Sequence, residues 1–254
     1  MKPNIIKPDK NHEIIERIKQ IKKDHPFWGY RRVWAYLNHR DHILINKKKT
    51  LRLLKEANLL VDRHIHKVKR TPSQRSKPQA SKPLEIWGID MTKFKLGSWG
   101  WLYLVVVLDW YTKKIVGWDL SLRSKADDWL KALDMAVMSE FPNGVRDQGL
   151  KLVSDNGCQP TSISFMKNMA LLDIEQIFTS YNNPKGNADT ERLIRTIKEE
   201  IIWINDFSTY EEAKAIIGNW INKEYNELYV HSKLGYLSPI EFEKQYYNQL
   251  LSVA

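Results

Sequence analysis

The run WLYLVVVLD, residues 101–109, constrains the fold more than any other stretch of the chain. It is too continuously apolar for a strand with one wet face and too rich in β-branched residues for a surface helix. It therefore predicts a central strand covered on both sides. The flanking pattern is consistent with that. Glu85–Phe94 alternates around Ile86, Gly88 and Asp90, and Lys114–Leu120 gives a third strand after a short turn. Lys125–Phe141 is amphipathic, with Trp129, Leu130, Leu133, Ala136 and Val137 on one face. Leu150–Ser154 and Glu175–Thr179 read as short strands, and Thr161–Leu172 as a helix between them. Asn187–Ile204 and Tyr210–Tyr225 read as long helices, and Pro239 opens a last one. The order β-β-β-α-β-α-β-α predicts an α/β fold with a mixed sheet and flanking helices.

The charge is divided along the chain. Residues 1–84 hold 22 Lys/Arg against 7 Asp/Glu, whereas residues 85–254 hold 18 against 23. A basic module on an acidic body suits a nucleic-acid-binding arm fused to a catalytic body. Residues 12–60 predict three helices. Ile14, Ile15, Ile18 and Ile21 mark the first, and Val33, Trp34 and Leu37 the second. The third follows a potential cap at Asn46, with Leu51, Leu53, Leu54 and Ala57 inside it and Lys47, Lys48, Lys49 and Arg52 at its start. A helix-turn-helix variant and a plain helical hairpin both fit this pattern. Residues 61–84 mix basic residues with Pro and Ser and read as an extended basic linker. The expected organisation is thus a helical domain over 1–60, a linker over 61–84, a catalytic core over 85–207 and a helical extension over 208–254.

The single cysteine, Cys158, excludes an internal disulfide and makes a reducing cytoplasm the simplest compartment. Seven histidines with one cysteine exclude a two-His, two-Cys zinc module. No apolar run approaches the roughly 18 residues of a membrane span.

Three acidic residues stand out by position. Asp90 sits inside a strand, in WGIDMT, where an unpaired charge is costly. Asp155 sits where a strand gives way to a loop, in LVSDNG, and Glu191 in the first turn of a long helix, in NADTERLIRTIKEE. Each has a plainer reading. Asp155 could start a turn with Asn156-Gly157, and Glu191 could complement the helix dipole. Taken together, three carboxylates without Cys or His favour a hard cation such as Mg²⁺.

WGIDMT, WLYLVVVLDWYTKKIVGW, SDNG and NADTE together resemble the catalytic core of DDE transposases and retroviral integrases, which share the ribonuclease H-like fold. Asp155 and Glu191 are separated by 35 residues, the hallmark interval of that family, and Lys198 stands seven residues beyond the glutamate. YNELYVHSKLGYLSPIEF resembles the end of bacterial insertion-sequence transposases, and HPFWGYRRVWAYLN the helix-turn-helix region before such cores. The chain departs from close relatives at Val153, at Gly186-Asn187 and at Tyr229, none of which touches the triad.

The resemblance implies Mg²⁺- or Mn²⁺-dependent cleavage and joining of DNA strands at the ends of a mobile element, with Asp90, Asp155 and Glu191 as catalytic metal ligands. It implies DNA contacts from Lys198, Arg195, Asn156 and Lys185, the last in a loop, Tyr181–Asn187, that could act as a flap. Lys47, Lys48 and Arg52 are the corresponding expectation for the helical arm. The expected partners are element-end and target DNA, further copies of the chain, and an upstream-frame DNA-binding protein or fusion. No membrane is expected, and the place of action is the bacterial cytoplasm, at the nucleoid when bound to DNA. A ribonuclease H-like nuclease without strand transfer and a transposase-derived DNA-binding inhibitor are the alternatives.

Overall fold

The computed structural model describes residues 10–61, 78–97, 100–179 and 186–253. They fall into two compact units. The basic linker, for the most part, and Tyr181–Lys185 of the loop before Asn187 lie outside the described residues.

The first unit contains α1 (Lys10–Asp24), α2 (Tyr30–His39) and α3 (Lys47–Glu56). Their buried faces supply Ile18, Ile21, Val33, Leu37, Leu53 and Leu54, and Trp28, in the turn before α2, is buried as well. Leu51, Leu53 and Leu54 lie inside α3 as expected, Leu51 on its exposed side, while Ala57 is the C-cap rather than a helical residue. Asn46 caps α3 as anticipated, its side chain accepting from the Lys49 N–H at 2.7 Å. Arg17 grips Asp41 through two 2.7 Å hydrogen bonds. Trp34 Nε1 donates to the Ile45 carbonyl at 2.7 Å, tying α2 to the approach of α3. The segment Val230–Leu237, distant in sequence, also belongs to this unit. Its Tyr236 ring lies against Trp34 (5.3 Å between centroids) and His39 (5.8 Å).

The second unit is a five-stranded sheet with helices. Its elements are β1 (Ile86–Leu96), β2 (Gly100–Asp109), β3 (Ile115–Ser121), α4 (Ala126–Glu140), β4 (Lys151–Ser154), α5 (Ile163–Leu172), β5 (Glu175–Phe178), α6 (Ala188–Ile197), α7 (Tyr210–Asn219) and α8 (Pro239–Val253). The strand order is β3-β2-β1-β4-β5. β1 pairs antiparallel with β2, and β2 with β3, while β4 runs parallel to both β1 and β5. This is the mixed α/β sheet with flanking helices that the element order predicts, and WLYLVVVLD lies within it, between two paired strands. One face of β1 and β2 presents Trp87, Ile89, Val105 and Val107 to Trp129, Leu133 and Ala136 of α4 and to Phe165 and Met169 of α5. The opposite face of β1 meets α6.

Two helices differ from the expected spans. The helix expected over Asn187–Ile204 is α-helical only to Ile197 and continues as a π-helical turn, Lys198–Ile202. The one expected over Tyr210–Tyr225 changes at Asn219 to a π-helical stretch, Trp220–Leu228. The wider turn bonds to the fifth residue back rather than the fourth, and apolar periodicity does not announce that change. In the second stretch, Asn226 explains part of it. Its side-chain amide accepts from the Ile115 N–H and donates to the Ile115 carbonyl, both at 3.0 Å, completing the edge strand β3.

Candidate active site

Strand register brings the first two carboxylates together. Gly88 pairs with Val153 across the parallel β1–β4 ladder. Two residues further along β1 stands Asp90, and two residues beyond Val153, just past the end of β4, stands Asp155, close enough that its charge acts on the Asp90 carboxyl. β4 has just ended at Ser154, and Asp155 opens the loop as an exposed residue. One of its oxygens, Oδ1, accepts from the Gly157 N–H at 3.0 Å. The turn anticipated as the plainer reading of Asp155 is therefore present, and it fixes one oxygen of the carboxylate in place. Asn156 Nδ2 donates to the Thr179 carbonyl and ties this loop to the end of β5.

The third carboxylate arrives on α6, whose first turn is held by several contacts. Gly88, two residues before Asp90 on the same face, leaves no room for a side chain: a Cβ there would stand 2.1 Å from Thr190 Oγ1 and 2.3 Å from Trp110 Nε1. Those two atoms hydrogen-bond to each other at 3.1 Å. Lys113, at φ 61°, pairs with Asp189 at 3.1 Å, the two side chains only 10% and 12% exposed, and its Nζ also donates to the Trp110 carbonyl. Asn187 Nδ2 reaches the Ile89 carbonyl at 3.5 Å. The turn after β2 and the close approach at Gly88 thus set the register of α6, and Glu191 follows directly after Thr190. The sequence pattern gives Gly88, Trp110, Lys113, Asp189 and Thr190 no role in the site. The one usable signal was a glycine two residues before a strand-embedded aspartate.

The electrostatics join these residues into one field. Burial pushes the Asp90 carboxyl up to about 7. The Met91 N–H, donating at 2.7 Å, opposes that rise, as does the Lys198 ammonium, while the negative charges of Asp155 and Glu191 add to it. Glu191 is also raised, by burial. Lys198 sits half-buried where α6 passes into its π-helical turn. Arg195 is exposed and pairs with Glu199 at 2.7 Å. Among the described residues no three acidic, His or Cys side chains converge tightly enough to enclose a single ion. The donors that Asp90, Asp155 and Glu191 offer are all carboxylate oxygens, the chemistry that Mg²⁺ or Mn²⁺ takes together with water and substrate phosphate.

Asp109, a second buried acid in the sheet, has a different use. Its carboxylate accepts from Leu84 N at 2.7 Å, Tyr111 N at 2.8 Å, Thr112 N at 2.8 Å and Thr112 Oγ1 at 3.0 Å. It closes the turn that carries Lys113.

On the first unit, Lys47, Lys48 and Arg52 are exposed on α3. Lys47 Nζ lies 4.3 Å from the Trp34 ring centre and 5.6 Å from that of Tyr236. Arg52 approaches Glu56 at 3.6 Å. No acidic residue occupies the first turn of α3, so three lysines face the positive end of its dipole. Lys185 lies outside the described residues. No described helix is long and apolar enough to cross a membrane.

Comparison with known proteins places these features in a family. The integrase core domain family matches residues 80–184, a second family of the same description matches residues 172–239, and an HTH-like domain family matches residues 9–67. The transposase for insertion sequence element IS904 of Lactococcus lactis is 30% identical over 242 residues, covering 91% of this chain and 93% of its own. The putative transposase InsK for insertion sequence element IS150 of Escherichia coli is 30% identical over 254 residues, covering 95% and 86%. Among solved structures, a chain of the simian T-cell lymphotropic virus intasome in complex with PP2A regulatory subunit B56 gamma has the same fold. It matches with a TM-score of 0.54 and 18% identity, over 82% of this chain and 73% of that one.

Proposed function

The chain belongs to the insertion-sequence transposases built on an integrase core domain, and from that premise we propose that Asp90, Asp155 and Glu191 form the metal-dependent centre at which it cuts and joins DNA strands. The observation that carries this reading is the coupling of four side chains from three separate segments. Asp90, raised to about 7, feels the charges of Asp155, Glu191 and Lys198.

Asp90 and Asp155 would hold one divalent ion, and Glu191, with Asp90, a second. Bound there, Mg²⁺ or Mn²⁺ supplies activation of the attacking oxygen and neutralisation of charge on the leaving oxygen. The protein's own contributions follow from its geometry. Asp90 gives up its proton when a cation arrives, because the burial that favours its neutral form no longer opposes an isolated charge. Asp155 keeps one oxygen fixed by the Gly157 N–H, and its carboxylate would be one of those that hold the ion. α6, clamped at its first turn, fixes Glu191 and carries Lys198 within reach of a DNA phosphate. Water attacks the phosphorus first and frees a 3′-hydroxyl. That hydroxyl then attacks a target phosphodiester and displaces its 3′-oxygen, so one bond forms for each one broken and no protein–DNA bond is needed. Arg195 and Asn156 contact the DNA beside the carboxylates, Lys185 adds a further positive charge for it, and Lys47, Lys48 and Arg52 engage it from the helical unit.

Two element ends must be joined to one target and each chain carries one such centre, so at least two protomers act together. The work takes place in the cytoplasm, on nucleoid DNA. A strand-transfer reaction with labelled element ends and Mg²⁺ tests the proposal. Joined product is expected. Nicking without joining contradicts strand transfer, and a mobility shift without cleavage contradicts catalysis altogether.

A further inference from the structure

Beyond Asp90 the β1–β2 hairpin continues as a two-stranded extension. β4 has stopped at Ser154, and β2 pairs with β3 only from Tyr103 onward. The last three rungs, Phe94 with Leu102, Lys95 with Trp101 and Leu96 with Gly100, therefore have no third strand beside them among the described residues. The two faces of this extension differ sharply. Phe94, Leu96 and Leu102 are buried, and the Phe94 ring packs on Phe207 at 5.4 Å. On the other face Lys93 and Lys95 are exposed, and Trp101 is 44% exposed. Lys93 Nζ stands 4.8 Å and Lys95 Nζ 5.8 Å from the centre of that one indole ring.

Two ammonium groups brought to one ring repel each other, and neither has a carboxylate partner among the described residues. Residues 91–103 contain these two lysines and no acid, within a segment, 85–254, that is acidic overall. The buried face packs the ribbon against Phe207, so the cations and the indole stand together on its outer face. We propose that the exposed face of this hairpin, Lys93, Lys95 and Trp101, is a docking platform for the phosphate backbone of duplex DNA leaving the carboxylate cluster. The proposal rests on the reading of that cluster as the DNA-processing centre. Lys93 and Lys95 lie about 10 Å and 17 Å along the strand from Asp90, at about 3.4 Å per residue. The platform lies on the face of β1 opposite Asp90, and among the described residues β1 has no strand partner on the β4 side beyond Gly88, so DNA seated at the carboxylates can cross that open edge to reach it. The two ammonium groups neutralise phosphates, and the indole supplies flat contact area that keeps both stems in place.

The test is fluorescence anisotropy of the full chain with a labelled mixed-sequence duplex, at salt from about 50 to 200 mM. The variants are Lys93→Gln/Lys95→Gln, which alters only exposed groups, and Trp101→Ala. Lys151→Gln, on a lysine paired with Glu175, is the control. The double variant is expected to bind more weakly and to lose about 1.8 from the slope of log affinity against log salt, two phosphates at about 0.9 each. Across that fourfold salt range its affinity then falls about tenfold less than that of the wild type. Trp101→Ala is expected to weaken binding with a smaller change in slope. A slope and affinity equal to those of wild type in the double variant overturn the platform and leave the function standing. Unchanged DNA binding with loss of a higher-mass assembly overturns it in favour of a protein partner. A wild-type protein that fails to bind DNA removes both the platform and the function.

Discussion

Asp90 is the residue whose chemistry is most altered by its surroundings. Its carboxyl, ordinarily at 3.8, is held near 7 by burial and by two neighbouring acids. The folded protein therefore keeps a proton that the unfolded chain has released. The resulting stabilisation is complete below about pH 4 and is lost as pH rises through 7. Thermal unfolding without divalent ions should thus show a melting temperature that falls between pH 5.5 and 8.5. Asp90→Asn should remove most of that fall and raise the melting temperature at the alkaline end. A slope unchanged in Asp90→Asn would mean that another group controls it. Added Mg²⁺ should restore stability to the wild type at pH 8 and not to Asp90→Asn, since binding to the folded state alone is stabilising.

At the scale of elements, the site depends on where the first turn of α6 is held. Gly88→Ala places a methyl carbon against Thr190 and Trp110, so either the helix moves or the sheet distorts. A loss of about 1–3 kcal/mol in chemical denaturation is expected, with a larger proportional loss of strand joining. Lys113→Met removes the ammonium that pairs with the largely covered Asp189 side chain and should cost about 3–5 kcal/mol. Lys113→Met/Asp189→Met should recover most of that stability. If the ion pair also sets Glu191, the double variant remains poor in joining although it is folded. Full joining in the stable double variant would reduce the pair to a structural contact. Little of this clamp was legible in the sequence, because Lys113 and Asp189 are 76 positions apart and each reads as an ordinary surface charge. The sheet was legible: WLYLVVVLD, the alternation before it and the short strand ending at Asp155 each carry a local signal strong enough to survive packing. The start of α3 was legible too, since Asn46 caps it by accepting a backbone N–H, whereas the caps at Ser162 and Thr209 emerge only from the structure. The π-helical turns were not legible, since apolar periodicity does not distinguish them from α-helix, and the tie of Asn226 to Ile115 in the second links residues 111 positions apart.

For the whole molecule, the division of charge and the division into units do not coincide. The basic segment ends near residue 84, yet Val230–Leu237 belongs to the helical unit and sets Tyr236 beside Trp34 and Lys47. Cutting the chain at residue 84 would therefore strip Tyr236 of its packing as well as removing positive charge. Substitution in the intact chain is the cleaner probe of the arm. Lys47→Gln/Lys48→Gln/Arg52→Gln should weaken DNA binding and reduce the salt slope by up to about 2.7, with melting temperature little changed. An unchanged slope would move the arm's phosphate contacts off α3. The central claim, that three carboxylates from β1, the β4 loop and α6 act as one centre, is tested most directly by strand joining with labelled element ends in Mg²⁺. Wild type, Asp90→Asn, Asp155→Asn and Glu191→Gln would be compared side by side, with circular dichroism confirming that each is folded. Joined product from wild type alone, with each variant reduced by at least about 100-fold, is the predicted result. Joining at near wild-type rate by any one folded variant would contradict it.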